Sequence, residues 1–111
     1  MIEKIVRDFL SQKLTVPVWM EIPSDPPESF VVLEKTGAGR SNHISTATIA
    51  AQSYAKSMLG AAELNEQVKA ALDDLIDLDE VSRSQLNSDY NFTDTASKRY
   101  RYQAVYDITH Y

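Results

Sequence analysis

The spacing of apolar residues predicts two helices. Apolar side chains at positions 2, 5, 6, 9 and 10 repeat with the period of one helix face and predict a first helix of about ten residues. A longer stripe follows Ser57, a residue type that often caps the start of a helix. The members of this second stripe are Ala61, Leu64, Val68, Ala71, Leu72, Leu75 and Ile76.

Alternating and β-branched residues predict five strands, at positions 18–22, 30–35, 44–55, 81–86 and 99–110. Gly37–Asn42 contains two glycines and predicts a loop, and the polar segment Ser88–Ser97 predicts a mobile loop. Small residues at Ala47 and Ala51 share one side of the third strand, which indicates that a helix packs closely there.

These elements follow the order α-β-β-β-α-β-β. Strand runs separated by helices favour an α+β fold, with a largely antiparallel sheet of four to five strands and helices packed on one face. A chain of 111 residues fits one domain, so we expect a single domain over residues 1–111.

Charge is unevenly distributed along the chain. The formal net charge is −5, and residues 63–80 contain seven acids against Lys69 alone. One helix face is therefore acidic, and it is either a solvated face or a docking face for a basic partner. An acidic chain is poorly suited to bind nucleic acid through phosphate contacts, so we expect no sequence-specific nucleic-acid partner.

Lys98–Tyr102 alternates basic and aromatic residues, which is one pattern of single-strand binders. In a strand, however, the tyrosines and the arginines point to opposite faces. The arginines then form a solvated face, a basic protein-interface patch or, least in keeping with the pattern, a nucleic-acid contact.

The sequence does not predict catalytic or metal chemistry. There is no cysteine, which excludes thiolate ligands, and His43 and His110 do not lie at metal-ligand spacing. In Gly37-Ala38-Gly39 the third glycine of a dinucleotide fingerprint falls on Asn42. We expect no cofactor, no metal and no enzyme activity. We also expect no signal peptide and no membrane span.

Several segments resemble the tail-terminator (tail-completion) proteins of siphophages and their prophages, particularly those of Gram-positive hosts. The segments are Ile22-Pro23, Pro26–Gly37, Ala50–Ser57, Tyr90–Asp94 and Arg101–Ile108. The resemblance covers nearly the whole chain. The family often has a proline next to the aromatic residue of the fourth segment, where this chain has Phe92-Thr93.

The resemblance implies a structural role in the virion. Such proteins form a ring, commonly of six copies, on the head-proximal end of the tail tube. The implied partners are further copies of the chain, the tail tube protein and head-tail connector proteins, which meet in the bacterial host cytoplasm. Two alternatives remain open: a head-tail connector or stopper protein, and an α+β binding module unrelated to phages.

Opposite charges suggest where such an interface lies. The acidic helix and the basic face of the last strand are hypothesised to meet between neighbouring subunits, or to face tube and connector. The segment Lys35–His43 is hypothesised to become ordered on assembly, because it contains glycines. The candidate interface residues are Lys35, Arg40, His43, Asp73, Asp77, Arg99 and Arg101.

Overall fold

The fold is α+β, as predicted, and combines two helices with one five-stranded mixed sheet. The computed structural model describes residues 1–94, 96 and 99–111. Its elements are α1 (Ile2–Lys13), β1 (Val18–Trp19), β2 (Phe30–Ser41), β3 (Ile44–Ala55), α2 (Met58–Asp73), a 3₁₀ helix (Asp74–Asp77), β4 (Val81–Asn91) and β5 (Tyr100–His110).

The strands lie in the order β1-β2-β3-β5-β4. Every pairing is antiparallel except that of β1 with β2, so the prediction of a largely antiparallel sheet holds only in part. The first strand was predicted over residues 18–22 but ends at Trp19. The chain then leaves the sheet for ten residues that include three prolines, which cannot donate to a strand ladder. A connection of this length, rather than a tight turn, lets β2 start parallel to β1.

β2 and β3 form one long hairpin, and the predicted loop Gly37–Asn42 is wrong. β2 continues to Ser41 after a bulge at Thr36, and the turn consists of Asn42 and His43 alone. Both turn residues have positive φ, 52° and 66°, as a two-residue hairpin turn of the primed type requires. The glycines do not have positive φ. Gly39 instead lies close to β3, where an added Cβ would be 3.1 Å from the hydroxyl of Thr46.

The predicted start of α2 is confirmed, but its predicted end is not. The Ser57 hydroxyl accepts a hydrogen bond from the backbone N–H of Gly60 at 3.0 Å. The helix ends at Asp73, and the following 3₁₀ turn rotates successive side chains further apart than an α-helix does. Leu75 is therefore buried, whereas Ile76 is 57% exposed and does not belong to the buried stripe.

One face of the sheet packs against both helices and forms the main core. Ala47 and Ala51 of β3 are buried in the same cluster as Leu64 and Val68 of α2, which confirms the predicted close approach of a helix. Apolar residues of α1 join this cluster, so both helices lie on one face. No helix of the described residues covers the opposite face.

The final two strands form the far side of the sheet. β4 was predicted to end at Leu86 but continues to Asn91, because a polar strand at a sheet edge lacks the apolar alternation that marks a buried one. Asp94 and Arg99 then form an isolated backbone bridge. Positions 95 and 97 of the predicted loop, and Lys98, lie outside the described residues. In β5 the predicted alternation is confirmed, with Tyr106 buried and Asp107 exposed.

Candidate interaction surfaces

The face of the sheet without a helix carries a network of polar side chains that connects neighbouring strands. Asp107 of β5 accepts hydrogen bonds from Thr48 of β3 and from Asn87 of β4, both at 2.9 Å. Further along, the amide of Gln52 donates to that of Gln103 at 2.9 Å. Because these groups are partners of one another, this open face presents a polar surface with fixed side-chain positions.

A row of rings crosses the same face at the end of the sheet away from the hairpin turn. The Phe30 and Tyr54 rings are stacked, with centroids 4.5 Å apart, and both are 3% exposed. Trp19 lies beside Phe30 at 5.7 Å, on the β1 side. At the β4 side Tyr90 and Phe92 meet edge to face at 5.9 Å, and these two remain about 40% exposed. We call these five residues, together with Arg101, the aromatic row.

Arg101 joins the two halves of the aromatic row. Its guanidinium lies 4.4 Å from the centre of the Phe92 ring and 5.7 Å from that of Tyr54. It donates to the Tyr54 hydroxyl at 2.9 Å and to the backbone carbonyl of Phe92 at 2.7 Å. These contacts hold the side chain within its own subunit. Sequence reasoning placed Arg101 beside Arg99 on one basic face, but only Arg99 is exposed there.

A second polar cluster lies where α2 crosses the edge formed by β4. Lys69, whose side chain is 17% exposed, contacts the carboxylates of Asp89 at 2.5 Å and Glu66 at 2.8 Å. The hydrogen bond to Asp89, and after it the one to Glu66, raises the pKa of Lys69 above its ordinary value. The side-chain amide of buried Asn65 donates to Asp89 at 2.6 Å. Its carbonyl oxygen has no partner among the described residues.

Asp73, at the end of α2, is tied to the same cluster. It accepts a hydrogen bond at 2.7 Å from the hydroxyl of Tyr106, which also contacts the backbone carbonyl of Lys69 at 3.1 Å. Burial, and then the hydrogen bond to Asp73, raises the pKa of Tyr106 well above its ordinary value. A shallow recess of about 280 Å³ lies beside β4 and is lined by two acids, Glu66 and Asp73, one base, Lys69, and by Tyr106 and exposed Leu86. We call it the acidic recess.

The predicted basic residues of the hairpin lie at the other edge of the sheet. Lys35 and Arg40 are both exposed on β2, and His43 is in the turn. The Lys35 ammonium lies 3.5 Å from the carboxylate of Glu3 in α1. Arg40 forms no ion pair with the part of the chain that the structure describes.

The predicted interface residues therefore do not form one site. Lys35 and Arg40 lie on β2 and His43 in the turn that follows it, whereas Asp73 lies near β4 and Asp77 is exposed in the 3₁₀ helix. Sequence reasoning missed Asp89, Leu86 and Phe92 as surface features. The only sequence signal for them was an apolar or charged residue within a polar segment, which does not define a site by itself.

The described residues include no cluster of three or more His, Cys, Asp or Glu side chains that could hold a metal ion. Within the same part of the chain, no helix has the length and apolar character that crossing a membrane requires. No protein-family model matches the chain, and no curated protein matches it.

Proposed function

We propose that this chain is a structural subunit that assembles into a closed ring, and that the ring is the tail terminator of a long-tailed phage or prophage. The observation that carries the proposal is the state of the two edges of the sheet, whose helices lie on one face. At one edge the outer side of β2 is paired only in part, and at the other no described strand pairs with the outer side of β4. Edge strands present free backbone donors and acceptors to another chain. A cyclic arrangement of identical copies covers both edges of every copy at once.

The aromatic row is a second observation that supports the phage assignment, because most of its residues come from the segments that resemble tail terminators. Phe30, Tyr54 and Arg101 belong to three separate segments that carry the resemblance to tail terminators, and Tyr90 and Phe92 belong to a fourth. These segments are distant in sequence but meet in one row of contacting rings. Four of the segments that carry the resemblance thus meet in a single physical feature of this fold.

In this role the chain acts by contact and not by catalysis. The partly exposed rings of Tyr90 and Phe92 offer an apolar contact beside the polar network of the open face. A ring of such subunits presents one end to the tail tube and the other to the head connector. The proposed partners are further copies of the chain, the tail tube protein and connector proteins, and the proposed location is the head-tail interface of the virion.

Two measurements test the proposal. Native mass spectrometry at high protein concentration is expected to show a closed species of about six times the 12.5 kDa subunit mass. In a polymerisation assay with purified tail tube protein, added subunit is expected to stop tube growth and to remain on one tube end.

Other outcomes point elsewhere. Association with isolated connector or portal rings, and none with tube ends, would assign the chain to the connector or stopper class. A tight dimer that neither caps nor shortens tubes would overturn the ring proposal, since an isologous pair uses one patch twice and does not extend to a ring.

A further inference from the structure

Both edges of the sheet have backbone available for pairing with another chain. Among the described residues, β4 is paired on one side, with β5. In the same part of the chain, β1 pairs with the outer side of β2 at Val31 and Val32, and no described strand pairs with Leu33–Ser41 on that side. The successive antiparallel pairings make β2 and β4 antiparallel to each other. A second copy placed edge to edge in the same orientation therefore brings its β2 antiparallel to β4.

The two edges carry opposite charge on the helix side of the sheet. Along β2, Lys35 pairs with Ile49 and Arg40 with Ser45, positions on the same side as the helix-facing residues of β3. On that side of β4 lies the acidic recess, with Glu66 and Asp73 on its wall and Lys69 between them. When a sheet continues from one copy to the next with the helices on the same side, a cation of β2 at the height of the recess becomes a neighbour of these two acids.

The strand register brings Lys35 to the height of the recess. Lys35 lies opposite Ile49, Ile49 opposite Tyr106, and Tyr106 opposite Leu86. These four residues form one row across the sheet, and the row ends in the recess. The next row has Gly37 at one edge and Gln85 at the other. This stretch of β4 lies between its two bulges, where the ladder is regular.

From these observations we propose that β4 of one copy pairs antiparallel with the free part of β2, Leu33–Ser41, of a second copy. In this contact Lys35 of the second copy approaches Glu66 and Asp73 of the first. The contact is heterologous, so each copy uses one edge for each neighbour, and repetition leads to a ring when the rotation closes. The inference rests on the ring proposed above and identifies the surfaces that hold it together.

Charge reversal tests the electrostatic part. Lys35→Glu is expected to weaken self-association at least about tenfold, because it places an acid at the height of Glu66 and Asp73 in the recess. Adding Glu66→Arg to Lys35→Glu is expected to recover most of that loss. Lys56→Glu is the matched control, because Lys56 is also an exposed cation beside an acid of its own subunit, with Glu28 at 3.9 Å. An equal loss in Lys35→Glu and Lys56→Glu would contradict the specific contact.

Cysteine cross-linking tests the pairing directly, because the native chain has no cysteine. In the double variant Gly37→Cys with Gln85→Cys, oxidation of the assembled protein is expected to give a ladder of linked subunits on a denaturing gel. An added Cβ at Gly37 has its nearest neighbours at 3.9 Å, so the substitution fits. Each single variant should stay unlinked, and a mixture of the two single variants should stop at dimers. The control pair is Gly37→Cys with Gln12→Cys, which uses an exposed position on α1.

The outcomes separate this inference from the proposed function. A ladder from the Gly37–Gln85 pair alone supports the edge contact. Closed rings that form normally but give no ladder, or a ladder equal to that of the control pair, overturn the edge contact and leave the terminator role standing. Failure of the unmodified chain to form any closed assembly, with or without tail tube, overturns the ring and the edge contact together.

Discussion

The two faces of the sheet are stabilised in different ways. On the face covered by the helices, apolar side chains of β2, β3 and β5 pack against α1 and α2 with little exposure. This stabilisation depends on the area removed from water and has no strong directional requirement. On the open face, the side chains are linked in pairs across the strands, by amide, carboxylate and ring contacts.

The difference indicates which face is free to serve assembly. A core face tolerates little change, because each lost contact leaves a cavity. On the open face the contribution of each pair is small and local, so residues there can be selected for contact with a partner at limited cost to folding. The open face and the two strand edges are therefore the parts of the molecule with the most freedom to adapt to a partner.

The largest expected effect compares two residues of the same strand. Ile108 is fully buried on the covered face, and Val105 is partly exposed on the open face. Ile108→Ala is expected to lower the free energy of unfolding by about 2–5 kcal/mol, because it removes buried apolar surface and leaves a cavity. Val105→Ala should cost about 1 kcal/mol or less. Urea denaturation of both variants measures the difference, and similar losses would contradict the distinction between the faces.

The next effect concerns the aromatic row, where the open face comes closest to having a core of its own. Arg101→Leu is expected to cost about 1.5–3 kcal/mol, because it removes two hydrogen bonds from a charged donor and a contact with a ring face. Arg99→Leu, at an exposed arginine nearby, should change stability by about 0.5 kcal/mol or less.

A double-mutant cycle sharpens the assignment of this effect. Combining Arg101→Leu with Tyr54→Phe is expected to show a coupling of about 1 kcal/mol, because the two side chains share one hydrogen bond. Additive losses would show that Arg101 acts through Phe92 instead. The measurement is again the free energy of unfolding in urea.

The covered face could be predicted from the sequence, because a buried face imposes a regular apolar period. The stripe of α2, its start after Ser57 and the alternation of β5 were all predicted and are confirmed. The period fails where the helix changes geometry, as at Ile76, which a continued α-helix would have buried. Sequence reasoning also placed the hairpin turn wrongly. The turn is made by Asn42 and His43, which have positive φ, so the two glycines remain part of β2.

The candidate surfaces could not be predicted in the same way, because pairwise contacts leave no period. Arg99 and Arg101 look alike in the sequence, yet Arg101 is the one whose guanidinium lies beside the rings of Tyr54 and Phe92. The proximity of Asp89 to Lys69 depends on the packing of α2 against β4, elements that are 20 residues apart at this contact. Strand order, which brings the charges to opposite edges, is likewise a property of the whole fold.

Tyr106 provides a third comparison, because it is a covered-face residue whose hydroxyl reaches a polar partner. Tyr106→Phe keeps the ring and removes the hydrogen bonds to Asp73 and to the Lys69 carbonyl, which should cost about 1 kcal/mol at neutral pH. The folded protein holds the phenol proton more tightly than the unfolded chain does, since the pKa of Tyr106 is raised above its ordinary value of 10.0.

The pH dependence of this effect has a definite sign. Stability from Tyr106 is fully present below about pH 10 and falls as the pH rises above it, because only the unfolded chain releases the proton there. Lys69, whose pKa is also raised, gives the native chain and Tyr106→Phe the same pH dependence, so its contribution cancels when the two are compared. The free energy of unfolding, measured from about pH 8 to about pH 11 so that the range spans the ordinary tyrosine pKa of about 10, should decline less steeply for Tyr106→Phe than for the native chain. Parallel curves would contradict the role of the hydroxyl.

The smallest expected effect lies at the centre of the open face. Thr48→Val keeps the shape and the β-branching of the side chain and removes its hydrogen bond to Asp107. Asp107 is exposed and retains Asn87 as a donor, so the expected cost is about 0.5 kcal/mol or less. If the network instead acts as a cooperative unit, Thr48→Val and Asn87→Ala should show a coupling larger than either single loss. Urea denaturation of the two single variants and the double variant separates these cases. Additive small losses mean that the open face is free to vary, and strong coupling means that its polar surface is itself a constrained part of the fold.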